Sequence, residues 1–211
     1  MAWDCGCGSG QATVALAQHF GAVYGTDVSA AQIAQATAHP RITYRTAPAQ
    51  SSGLADRSVD LVTVAQALHW FDVDAFHAEV ARVLVPRGVV AEWSYGLLRV
   101  PSSEYITATV VELDATLNDW WPPERRHIDN EYRDLAFPFA RIDVGTHTMS
   151  ADWTLAELLG YFGTWSAVTR YRASEPDDPL ARVRADIANA WGAETTRTIE
   201  WPLTIRCGRV P

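Results

Sequence analysis

The first residues able to do chemistry stand at the start of the chain, in Asp4-Cys5-Gly6-Cys7-Gly8-Ser9-Gly10. Glycines at alternate positions admit backbone conformations closed to other residues and allow close approach of a ligand. An acid two residues before the first glycine suits a ligand carrying an ammonium group better than a pyrophosphate. The dinucleotide fingerprint Gly-x-Gly-x-x-Gly/Ala fails from either starting point. Counted from Gly6 its last position is Gln11, and counted from Gly8 it is Thr13. A second carboxylate, Asp27 in Gly25-Thr26-Asp27-Val28-Ser29, follows after one helix and one strand. At a strand end it can accept hydrogen bonds from both hydroxyls of a ribose; alone it reads equally as a turn or a helix cap.

Other candidates carry a bland reading beside a chemical one. His69 is placed to act as a base or to orient a substrate, or it simply packs beside Trp70. Trp70 or Phe71 can offer a π face to a cation or fill core. Arg125 or Arg126, in Trp120-Trp121-Pro122-Pro123-Glu124-Arg125-Arg126, can grip a carboxylate with a planar fork, or form a solvated basic turn paired with Glu124. Cys5 and Cys7 do not make a metal site, because two thiols leave a tetrahedral site incomplete and no Cys/His pair at zinc spacing follows. They read as small hydrophobes under the loop. All 17 basic residues are arginine, which excludes lysine chemistry such as a Schiff base.

The elements that must position these groups alternate. Ala2–Asp4 is a strand stub and residues 11–20 a helix. Residues 22–26 form a strand, and 30–38 a helix capped by Ser29 and stopped by Pro40. Strands follow at 42–45 and 59–64, the latter apolar enough to be buried on both faces. A helix capped by Asp72 or Asp74 runs to about Leu84, and Pro86-Arg87-Gly88 turns the chain into a fifth strand at 89–93. Strands separated by helices imply a parallel sheet with right-handed crossovers. In the second half, helices are expected at 103–117, 155–161 and 180–191. A strand is expected at 141–149 and another at 197–206, where Pro202 calls for a bulge; 120–138 reads as irregular.

With the acidic residues spaced in this way, Asp4–Gln11 resembles the first motif of class I methyltransferases dependent on S-adenosylmethionine (SAM). Asp27 resembles their ribose-binding acid. The run from Ser58 to Phe71, the wording around Trp3, and Trp121-Pro122-Pro123-Glu124-Arg125 resemble the methyltransferase type 11 branch that includes trans-aconitate methyltransferase. The resemblance covers nearly the whole chain, and its motifs are more specific for the cofactor than for the acceptor. It implies an α/β fold with a Rossmann-like, mostly parallel sheet, an antiparallel C-terminal strand and helices on both faces. It implies SAM as cofactor, with Gly6, Gly8 and Gly10 along the methionine part and Asp4 holding the amino group directly or through water. Asp27 would bind ribose, Val28 flank adenine, and Ala49 and Gln50 edge its ring. Gln50 stands where many relatives carry an acid. Gln66 would lie near the methionine carboxylate, His69 would be the catalytic candidate, and Trp70, Trp121 and Arg125 would face the acceptor. Relatives carry one or two helices ahead of Asp4, whereas this chain begins three residues before it.

The expected organisation is one domain over 1–211, with an insertion at about 95–138 capping the acceptor side. The acceptor is expected to be a small molecule, with a carboxylic acid among the candidates. A net charge of −8 argues against nucleic acid and anionic lipid as partners, and no apolar run reaches the ~18 residues of a membrane span. Three cysteines fit a reducing cytoplasm better than a disulfide framework. Two rival readings stay open: a nicotinamide-dependent oxidoreductase on a similar sheet, and a SAM-binding protein without activity.

Overall fold

A computed structural model describes residues 1–210. The first half follows the alternation in the sequence: β1 (Ala2–Cys5), α1 (Gln11–Leu16), β2 (Val23–Asp27), α2 (Ala30–Ala34), β3 (Ile42–Thr46), β4 (Val59–Ala65), α3 (Val73–Val83) and β5 (Leu84–Tyr95). After these come α4 (Glu104–Thr116), α5 (Arg125–Asp129), β6 (Ala140–Ile142), β7 (His147–Trp153), α6 (Leu155–Gly163), α7 (Ser166–Ser174), α8 (Leu180–Trp191) and β8 (Arg197–Arg209). The sheet order is β3-β2-β1-β4-β5-β8-β6, with β7 paired to β8. β1 through β5 pair in parallel, and β6 and β7 run antiparallel to β8. This is the expected mostly parallel, Rossmann-like sheet with helices around it. The strand order reverses at β1 and β4, and the crevice outside the carboxyl ends of such strands is where an open α/β sheet binds its ligand.

The chain divides into two compact units. Among the described residues the first comprises 1–94, 127–146 and 204–210, and the second 95–126 and 147–203. The core of the first is built on Trp3, Val62, Val64, Leu68, Phe76 and Val80, all fully buried. β4, between β1 and β5 in the sheet, buries Val59, Val62, Thr63 and Val64, side chains from both of its faces. The second unit packs α4, α6 and α8 through Ile106, Leu113, Leu158, Phe162 and Ile187. No helix among the described residues is long and apolar enough to cross a membrane.

Several local expectations need correction. α1 stops at Leu16 and gives way to turns through His19. α2 ends at Ala34, well before Pro40, and buries none of its residues; without an apolar face, helical propensity alone does not extend it. Pro86-Arg87-Gly88 does not separate a helix from a strand. It is an excursion within β5, where the pairing partner jumps from Leu84 to Val89 while β4 advances from Val59 to Leu61. The strand expected over 141–149 is two strands, broken at Asp143–Thr146, with Gly145 at φ +70°. α7 was not foreseen, and neither was α5, which forms within the 120–138 segment expected to be irregular. Pro202 causes no bulge: β7 and β8 keep one register across it, with Thr148 opposite. Its carbonyl accepts from the Gly96 amide at 3.0 Å. The nitrogen of a strand residue points to the same side as its carbonyl, so the missing donor faces the Gly96 side and the ladder with β7 is intact.

Candidate active site

The glycine loop is a backbone device. Gly6, Gly8 and Gly10 adopt φ of +68°, +54° and +89°. The Gly6 and Cys7 amides donate to the Thr26 carbonyl (2.8 and 3.0 Å), pinning the loop to the end of β2. A Cβ on Gly6 would lie 2.6 Å from the Cβ of Ala67, so the loop can approach the segment after β4 only without a side chain. At Gly8 the nearest heavy atom to such a Cβ is Gln32 Oε1 at 3.9 Å. That side of the bend is open, and a ligand can lie against bare backbone there.

Two carboxylates flank the bend in different ways. Asp4 lies beneath it, fully buried. Its Oδ2 accepts from the Thr13 hydroxyl at 2.5 Å and its Oδ1 from Thr63 at 2.8 Å. Burial raises its carboxyl to about 6 against the lowering influence of the two hydroxyls. Asp27 is half-buried beside the bend. Its Oδ2 accepts from the Gly8 amide at 2.9 Å and its Oδ1 from the Ser29 amide at 2.8 Å. It therefore joins the loop to the start of α2, and each oxygen keeps a lone pair for a ligand hydroxyl. Ser29 Oγ caps α2 through the Gln32 amide at 3.3 Å.

The rim is completed by the ends of β2, β3 and β4. Val28 is 71% exposed. Ala49 is buried and Gln50 exposed. The loop that carries them is tied down where Glu79 Oε1 accepts from Ser52 N (2.8 Å) and Ser52 Oγ (2.6 Å). Arg82 donates to both oxygens of Glu79 at 2.8 Å. Arg82 and then Ser52, against burial, hold the Glu79 carboxyl down at about 2. At the end of β4, Gln66 takes φ +54° while its amide donates to the Trp93 carbonyl. A left-handed backbone is uncommon outside glycine, and such residues gather where the fold holds a functional turn in place. The 3₁₀ turn Leu68–Trp70 follows. His69 is buried, with Nδ1 3.5 Å from the Tyr132 hydroxyl and its ring 4.9 Å from that of Trp70, which is 57% exposed.

The first unit thus gathers Asp4, the three glycines, Asp27, Val28, Ala49, Gln50, Gln66, His69 and Trp70. Trp121 and Arg125 belong to the second unit. There the Arg125 guanidinium lies 4.2 Å over the Trp121 ring and 3.4 Å from Asp114 Oδ1, and Trp121 also meets Trp165. The pairing is with Asp114 rather than Glu124. Cys7 is half-buried within the loop, where burial pushes its thiol up to about 12. Thr13, Thr63, Tyr132 and the Ser52–Glu79–Arg82 cluster escape a reading of motifs. Thr63 left one trace, as a hydroxyl within the apolar run Leu61–Ala65.

Comparison with known proteins bears on the same segment. Residues 3–91 match the model of a family described as a methyltransferase domain. The chain is similar to a methyltransferase of Dictyostelium discoideum, 35% identical over 195 residues that span 90% of this chain and 73% of that protein. It is also similar to an S-adenosylmethionine-dependent methyltransferase of Saccharomyces cerevisiae, 32% identical over 44% of this chain and 34% of that one. Among solved structures, a type II methyltransferase from Anaeromyxobacter dehalogenans superposes with a TM-score of 0.92 at 46% identity, covering 99% of this chain and 88% of that one.

Proposed function

The chain belongs to the methyltransferase domain family, the class I enzymes dependent on SAM, and from that premise we propose that it methylates a small-molecule acceptor, with a carboxylic acid as the favoured class. The observation that carries the cofactor reading is the open bend at Gly8 with the Asp27 carboxylate bonded to its amide. The donor set suits SAM: a carboxylate acceptor for ribose hydroxyls, bare backbone for the methionine part, and an exposed apolar Val28 for the adenine face. SAM supplies a sulfonium-bound methyl group, so a nucleophile on the acceptor forms the new bond to carbon as the carbon–sulfur bond breaks and S-adenosylhomocysteine departs.

The protein's part is alignment and exclusion of water. Asp27 orients the ribose, and Ala49 and Gln50 edge the adenine. Gln66, presented by its left-handed turn, stands toward the methionine carboxylate. Asp4 is assigned chiefly to support of the loop, since Thr13 and Thr63 occupy both its oxygens. Trp70 offers an aromatic face at the acceptor side, and His69, held toward Tyr132, orients the acceptor. An ionised carboxylate acceptor needs no base, so His69 is assigned the orienting role. The acid class rests on resemblance to the trans-aconitate branch and on the Trp121–Arg125 pair as a carboxylate-binding element. We place the protein in the cytoplasm on its three free thiols.

Two measurements test this reading. Calorimetric titration with SAM and with NADH should show binding of SAM alone; preferential binding of NADH would overturn it in favour of an oxidoreductase. Incubation with SAM and a panel of small carboxylic acids should release S-adenosylhomocysteine with at least one of them. Turnover with amines or phenols but no acid would discard the acid class and keep the cofactor. SAM binding without turnover on any acceptor class would favour the non-catalytic reading.

A further inference from the structure

α3 turns Asp74, His77, Ala78 and Ala81 to one side, the i, i+3, i+4, i+7 stripe of a helix. Together with Pro138, Phe139 and Val210 they line a cleft of about 350 Å³, within the size range of small-molecule sites. No lining residue belongs to the glycine loop, the end of β2 or the turn after β4, so the cofactor site does not account for this cleft. Its walls are apolar except at two points. Asp74 is exposed and has no ion-pair partner among the described residues. His77 is 4% exposed, and its Nε2 lies 2.6 Å from Glu92 Oε1. Glu92 is held by Arg206, whose Nε and Nη2 donate to Oε2 at 3.0 and 2.6 Å. The imidazole is thereby fixed from behind, with Nε2 against a buried carboxylate. Nδ1 is buried with no partner among the described residues, and in the tautomer that carries its proton on Nε2 it is an acceptor.

We propose that this cleft binds a small organic ammonium ion, an amine carried on a compact apolar body. The free Asp74 carboxylate attracts the charge, and an ammonium proton satisfies His77 Nδ1. The side chains of Ala78 and Ala81 are short enough to leave room for the body. Phe139, whose ring meets that of His77 edge-on at 5.2 Å, can offer its face to the cation. Exposed Asp74 draws the amine in, and His77 lines the same cleft. An anion is refused by the same carboxylate.

The probes are phenethylamine, its uncharged analogue 2-phenylethanol, and phenylacetate, each titrated into the full chain by ligand-observed NMR with SAM binding followed separately. Phenethylamine should bind saturably, 2-phenylethanol about tenfold more weakly, and phenylacetate not at all. Asp74→Asn should weaken the amine about tenfold and leave the alcohol unchanged. Ala81→Leu, at an exposed position that tolerates the larger side chain, should fill the cleft and abolish both. Neither variant should alter SAM binding, which also reports that each is folded. No saturable binding of the amine, an alcohol bound as tightly as the amine, or amine binding indifferent to both variants would each overturn the proposal.

Discussion

At the scale of single residues, the two acids near the glycine loop serve different ends. Asp27 sits on the rim with two backbone amides as partners. Asp27→Ala should weaken SAM binding by about 1–3 kcal/mol, the range for hydrogen bonds to a charged group. Unchanged affinity in a folded variant, measured by calorimetry, contradicts its role. Asp4 is buried and its carboxyl is raised to about 6. A carboxyl raised on folding contributes stability that is complete below its ordinary pKa and is lost as pH rises through the folded value. Asp4→Asn stays neutral throughout. Urea denaturation should therefore show the wild type losing stability relative to this variant between about pH 4 and pH 7. The opposite slope would mean that the carboxylate is stabilised by a contact beyond Thr13 and Thr63. The motif made Asp4 legible as important but not in what way. Its partners, Thr13 on α1 and Thr63 on β4, are brought to it only by the tertiary fold.

At the scale of elements, the site depends on how closely loops approach. Gly6 faces Ala67 at a distance that a side chain cannot share. Gly6→Ala should cost about 1–3 kcal/mol from the left-handed backbone alone, with a further loss from the clash, and should abolish SAM binding. A variant with wild-type stability and affinity would show that the loop has room to spare. The loop after β3 is held by a charged cluster instead. Ser52→Ala removes one bond to the buried Glu79 carboxylate and should cost about 1–3 kcal/mol by chemical denaturation. Glu79 is lowered to about 2 by Arg82 and Ser52, so its contribution is present above the ordinary carboxylate pKa and lost as pH falls through about 2. In Ser52→Ala part of that loss should move to higher pH. None of this was legible in the sequence, because Ser52 and Glu79 are separated by β4. By contrast β4 and α3 were readable, the first from its apolar run and the second from Asp72, which accepts from the Ala75 amide and caps the helix as expected. α2 was over-extended, because Pro40 marks where a helix must have ended and not where its burial gives out.

At the scale of the molecule, the alternation of the first 95 residues conveyed the parallel sheet, because each βα unit carries its own periodic signal. In the second half α4, α6, α8 and β8 were readable, while α5, α7 and the break between β6 and β7 were not. β8 contributes residues 197–203 to one unit and 204–209 to the other, and its alternation does not announce that division. Pro202 is misleading in isolation, since which side of a strand lacks a partner is decided by distant residues such as Gly96 and Thr148. Arg125 and Trp121 were legible as members of one motif, but their stacking, and Asp114 in α4 as a partner of Arg125, emerge only on folding. The proposed cradle for SAM, a side-chain-free bend beside Asp27, is decided by a crystal structure of the chain with S-adenosylhomocysteine. Ribose hydroxyls should lie on the Asp27 carboxylate and the amino-acid end along Gly6–Gly8. A bend that stays empty in the presence of the ligand, or that holds a pyrophosphate instead, would contradict it.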